Sequence, residues 1–162
     1  MFLGQSEWVE DHLFRHKDFL TRTTKEGSVL EKLVAVWAVL QATALRSAPA
    51  MALPILHYES TVIDPWLSVE SLSKHPSWEG MLTASEEQVR VAAQRASFVS
   101  KSADASRFPD PTNWTSKVTP GERRACERVL DEMGMADWHD AQGMPVPESI
   151  QDWRDAQRPP LA

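Results

Sequence analysis

Cysteine is almost missing from this chain: Cys126 stands alone, so no internal disulfide can form, and the pattern fits a reducing compartment. Long apolar runs are missing as well. None approaches the roughly 20 residues needed to span a bilayer, and the opening Met1-Phe2-Leu3-Gly4-Gln5-Ser6-Glu7 has neither the basic nor the apolar region of a signal peptide. A cytoplasmic protein that does not meet a membrane is the expectation. Positive charge is in deficit: 17 Lys and Arg against 23 Asp and Glu leave a net charge of −6. Nucleic-acid surfaces rest on clustered cations, so an extended surface of that kind is not expected, while a local anion pocket stays open. Glycine is scarce and scattered, at Gly4, Gly27, Gly80, Gly121, Gly134 and Gly143. No two lie close enough to build a phosphate-cradling loop.

What the chain does contain is helix punctuation. With 162 residues and 42% hydrophobic content it can bury one core, which we place in residues 1–134, followed by a proline-rich C-terminal tail over 135–162. Val9, Leu13, His16 and Leu20 recur at helical spacing and predict a first helix over Ser6–Leu20, closed by the polar stretch Thr21–Gly27. Ser28-Val29-Leu30-Glu31 is a capping box opening a stronger helix, whose stripe Leu30, Leu33, Val34, Trp37, Leu40, Ala44 and Leu45 predicts the core-facing side. A second box, Thr83-Ala84-Ser85-Glu86, predicts a helix to about Ala96, with Val89, Ala92, Ala93 and Ala96 inward. Thr119-Pro120-Gly121-Glu122 predicts another to Gly134, with Ala125, Val129, Leu130 and Met133 inward. Between these two helices Ser97–Val118 reads as a long loop. A single turn of helix is expected around Ser149–Asp155. The seven tryptophans are spread along the chain and read as helix-packing residues.

The one β signal is Leu53-Pro54-Ile55-Leu56-His57-Tyr58, a short apolar run after Pro49 that hands over to Asp64-Pro65, an N-cap followed by proline at the first helical position. The expected fold class is therefore mainly α with a single or very few β-strands. A lone strand leaves its backbone groups unpaired, so it predicts a homo-oligomer or a complementing chain joined through Leu53–Tyr58.

The order of parts over roughly Leu30–Gly134 resembles the C-terminal half of the sulfotransferases that use 3′-phosphoadenosine-5′-phosphosulfate (PAPS), an α/β fold of the P-loop-like kind. The matching features are Trp37 in a helix, Leu56-His57-Tyr58-Glu59-Ser60 ending the strand, Asp64-Pro65, and Ala96-Ser97-Phe98. Arg107 seven residues before Trp114 and the Thr119–Glu122 helix start complete them. The resemblance implies PAPS as cofactor, with Tyr58 and Phe98 at the adenine, Ser97 hydrogen-bonding and Arg107 pairing with the 3′-phosphate. It also implies sulfuryl transfer to a hydroxyl or amine, provided another segment supplies the phosphosulfate loop and catalytic base. This chain matches neither of those parts, and where the family has Arg-Lys-Gly it reads Arg107-Phe108-Pro109. On its own it is expected to be inactive.

The alternative is a non-catalytic helical protein-interaction module. Other constellations are weaker. His12 and His16 sit one turn apart without a third metal ligand. Trp138-His139-Asp140 pairs a histidine with a carboxylate, but neighbours in sequence rarely point together, and the triplet reads as surface.

Overall fold

The computed structural model describes residues 13–46, 54–78, 80–93 and 116–157. A 3-10 turn over Phe14–His16 leads into α1, Lys17–Glu26. The stretch Thr21–Glu26, expected as a loop, is instead helical. Threonine tolerates this because its hydroxyl can bond back to the preceding turn, as the Thr24 hydroxyl does to the Leu20 carbonyl at 2.7 Å, and Thr23 is buried in the interface. The helix stops at Gly27, whose N–H reaches the Thr23 carbonyl at 2.9 Å. A Cβ at this position would fall 2.5 Å from that same oxygen, so only glycine fits the approach.

The capping box at Ser28 is made as its spacing predicts. The Ser28 N–H donates to the Glu31 carboxylate at 2.9 Å and the Glu31 N–H to the Ser28 hydroxyl at 3.2 Å. From it runs α2, Val29–Arg46, apolar around most of its circumference. Its buried face is Ala35, Ala38, Val39, Ala42 and Leu45, whereas Leu33 and Leu40, expected inward, are exposed. Side-chain size decides this. Three alanines let the backbones of neighbouring helices come close, and the bulky residues of so uniformly apolar a helix are turned aside.

The strand expected over Leu53–Tyr58 is not present among the described residues. Residues 54–57 take no regular secondary structure and pair with no strand among the described residues, and Tyr58 opens a helix, α3, Tyr58–Ile63, after the extended His57. The local reason is the Thr61 residue: both its N–H and its hydroxyl bond to the His57 carbonyl, each at 2.9 Å, closing a helical turn where a strand would have continued. Helix α4, Pro65–Ser73, starts as expected, the Asp64 carboxylate accepting from the Trp66 N–H at 3.1 Å and the Leu67 N–H at 3.5 Å. Helix α5, Glu86–Ala93, is capped two residues later than read from sequence. Its box is Ser85 with Gln88, bonded reciprocally at 2.9 and 3.3 Å. None of the residues in α3, α4 or α5 is buried, so this segment lies at the edge of the core.

Helix α6, Pro120–Glu132, begins with the expected box, Thr119 N–H to the Glu122 carboxylate at 2.9 Å and Glu122 N–H to the Thr119 hydroxyl at 3.3 Å. It packs along α2, burying Val129 and Met133 against the alanine face. Its end is a Schellman turn. Gly134 takes a φ of 68°, its N–H bonds to the Asp131 carbonyl at 2.9 Å, and the Met135 N–H reaches back to Leu130 at 2.7 Å. The reversal drops Met135, fully buried, into the core and sets Trp138 beside it.

The described part of the proline-rich stretch beyond Gly134, residues 135–157, thus contributes to this core and is not a tail appended to it. Met135, Trp138 and Ile150 belong to the same apolar cluster as Leu13, Leu20 and Ala38. Pro147 does not oppose structure where it stands: it takes the first turn of α7, Pro147–Ala156, where a missing N–H costs nothing. That helix is longer than the single turn expected. Tryptophans link it to α2, with Trp37 edge-on to Trp138 at 6.0 Å and Trp138 edge-on to Trp153 at 5.3 Å. The Arg46 guanidinium caps the series 5.3 Å above Trp153. No helix among the described residues is long and apolar enough to cross a membrane.

Candidate functional site

Between α2, α6 and the turn that follows Trp138 lies an open cleft of about 340 Å³. Its floor comes from two helices whose stripes diverge: Leu30, Val34 and Trp37 of α2, and Cys126 and Leu130 of α6. Its far wall is the turn after the Schellman reversal. There His139 adopts extended backbone, φ −132° and ψ 142°, which sends successive side chains to opposite sides. Trp138 therefore enters the core while His139 lies against Trp37, ring centroids 5.9 Å apart. The triplet Trp138-His139-Asp140, expected at the surface, is split three ways. Asp140 holds the turn itself, its carboxylate accepting from the Gln142 and Met144 N–H groups, both at 2.8 Å. A β-bridge between His139 and Pro145 closes it.

The polar groups around the cleft are unequal in sign. Among the described residues Glu59, Glu127 and Asp140 line it against one cation, Arg123. Arg123 is already engaged, donating to Glu127 at 3.0 Å and to the Ala141 carbonyl at 3.1 Å, which leaves Glu59 and Asp140 without a matching cation among the described residues. Burial pushes the His139 pKa down, against an opposing pull from Glu59 and Asp140. His57, on the same side, is pushed down for the same first reason. Both imidazoles are thus neutral near pH 7 and add no positive charge. The Cys126 thiol is pushed up, first by burial and then by Glu31, Glu122 and Glu127, so a thiolate nucleophile is disfavoured here. Among the described residues no group of three or more His, Cys, Asp or Glu is placed to hold a metal. Among the described residues the cleft joins an apolar floor to a wall that carries carboxylates. A second hollow, rimmed by Arg124, Arg128 and Asp131 on the outer side of α6, is more open and highly charged, the composition of a solvated helix face.

No protein-family model matches the chain, and comparison with curated proteins and with solved structures finds no match.

Of the four positions implied by the sulfotransferase resemblance, Tyr58 alone lies among the described residues. It opens α3, is 69% exposed and does not line the cleft, although its neighbour Glu59 does. Ser97, Phe98 and Arg107 lie outside the described residues, as does His12. His16 is placed 3.6 Å from the Glu132 carboxylate, and among the described residues it belongs to no group of three or more ligands that could hold a metal. Sequence reasoning passed over Glu59, Arg123, Cys126 and His139 as site residues. A usable signal existed for His139: it follows a tryptophan between a helix-ending glycine and a proline, where an extended residue presents its side chain opposite a buried neighbour.

Proposed function

We propose that this chain is a helical protein-interaction module that docks its partner on the outward side of α2 and in the cleft beside it. The observation that carries the reading is the arrangement of α2. Opposite its buried alanine face, Val29, Leu33, Val36 and Leu40 are exposed, Leu33 by 61% and Leu40 by 46%. Their spacing of four, three and four residues makes one straight seam, the pattern with which a helix receives another helix. Trp37 joins this seam to the cleft. A continuous apolar row bordering a concave site is characteristic of a macromolecular docking surface. The docking element is thus a helix face and not the strand first expected over Leu53–Tyr58.

The test is selection of peptides from a random display library against the full chain, followed by affinity measurement on Leu33→Glu and Leu40→Glu variants. Selected apolar helical peptides should lose about tenfold or more in affinity on either variant, since a charge opposed to a buried anchor costs on the order of 1–3 kcal/mol. Peptides that bind the variants as tightly as the parent would overturn the reading. Calorimetry with adenosine 3′,5′-bisphosphate supplies the opposing arm. Heat that disappears in Phe98→Ala and Arg107→Ala would favour a PAPS-binding, sulfotransferase-like protein instead.

A further inference from the structure

Resting on that reading, we propose that the partner presents an amphipathic helix with a lysine or arginine that enters the cleft, while its apolar residues cover Leu33, Val36 and Leu40. The argument is one of charge and shape. The cleft floor of Leu30, Val34 and Leu130 suits an aliphatic stem. Two carboxylates, Glu59 and Asp140, stand at its wall without a cation to match them among the described residues, because Arg123 is tied to Glu127 and the Ala141 carbonyl. Asp140 spends one carboxylate oxygen on the turn, accepting from both Gln142 and Met144. The second oxygen remains for an incoming N–H.

Trp37 supplies an aromatic ring to that floor and is 36% exposed. Cations are attracted to such rings, and the same tryptophan series already holds one at its other end, Arg46 over Trp153 at 5.3 Å. An acidic or phosphorylated side chain would meet like charge on the same wall. A neutral apolar side chain would fill the floor but leave both carboxylates facing it and partly stripped of water. The cationic occupant alone satisfies floor and wall together. The net charge of −6 further favours approach of a basic segment.

The experiment uses the full chain and two labelled amphipathic peptides of about 14 residues, roughly four helical turns, one built of Leu and Lys and one of Leu and Glu in the same pattern. Fluorescence anisotropy should show the Leu/Lys peptide binding at least about tenfold more tightly than the Leu/Glu peptide. Glu59→Gln should weaken the Leu/Lys peptide about fivefold or more, as loss of a partly desolvated charge contact does, while Glu148→Gln, an exposed acid on α7, should leave it unchanged. Trp37→Leu should weaken it while keeping an apolar floor.

Equal weakening by Glu59→Gln and Glu148→Gln would reduce the effect to overall charge and overturn the cleft assignment. A Leu/Glu peptide bound as tightly, and lost in Leu33→Glu, would overturn the cationic occupant yet leave the docking surface standing. If neither peptide binds, the cationic occupant is refuted, and the α2 face is then judged by the library selection alone.

Discussion

Gly134→Ala should destabilise the protein and disturb the cleft from outside it. Gly134 is exposed, so no packing is lost by adding a methyl group to a surface residue. The cost is conformational. At φ 68° the residue occupies the left-handed region, where an L side chain costs about 1–2 kcal/mol. The added Cβ would also lie 3.4 Å from the Trp153 indole nitrogen, an ordinary contact that neither relieves nor greatly adds to that cost. For a chain of this length about 1–2 kcal/mol corresponds to a fall in Tm of about 2–8 °C. Far-UV circular dichroism during heating would measure it. Two comparisons isolate the cause. Gly134→Asn should recover part of the loss, since asparagine tolerates this conformation. Gly121→Ala should be neutral or stabilising by up to about 1 kcal/mol, because Gly121 sits in the first turn of α6 with only the Thr119 hydroxyl within 4.0 Å of a new Cβ. If Gly134→Ala and Gly134→Asn melt with the parent, the turn does not depend on this geometry, and the account of how Met135 and Trp138 reach the core fails.

Three further outcomes follow from the same contacts. Thr119→Ala removes the side chain that accepts from Glu122 and should cost about 1 kcal/mol, read as a lower urea midpoint with an unchanged slope. Stability should fall as pH drops from about 7 through the free-histidine value near 6.5. His57 and His139 have folded pKa values pushed below the unfolded one, so the unfolded state binds more protons in that window, while the contribution is intact above it. Urea midpoints measured across the pH range should lose part of this slope in His139→Gln, and an identical slope in the variant would contradict the assignment. Cys126 should react with iodoacetamide at neutral pH more slowly than a free thiol, since burial and three nearby carboxylates hold it protonated. Faster alkylation in the native than in the denatured chain would refute this.

Capping was the most legible part of the fold. Ser28 with Glu31, Asp64 with Pro65, and Thr119 with Glu122 are local arrangements complete within four residues, so their spacing alone carries the geometry. The box at Thr83 was misplaced because Ser85 offers the same chemistry two residues on, and sequence alone ranks the two equally. The strand over Leu53–Tyr58 failed for a different reason. An apolar run says that burial is wanted but not by which backbone, and pairing needs a neighbour that the described residues do not provide. The site was the least legible. Glu59, Cys126 and His139 are remote in sequence and meet only because α6 lies along α2 and the chain reverses at Gly134.

From composition and pattern alone follow a mainly helical chain, where most of its helices begin, and a net negative charge, since each is a local or additive property of the residues. Which side of α2 is buried, that the stretch after Gly134 belongs to the core, and that two carboxylates share a cleft with Trp37 were decided only in three dimensions. A helix apolar on nearly every side has no preferred face until a neighbour with room for close approach selects the alanines, and that selection leaves Leu33, Val36 and Leu40 facing outward.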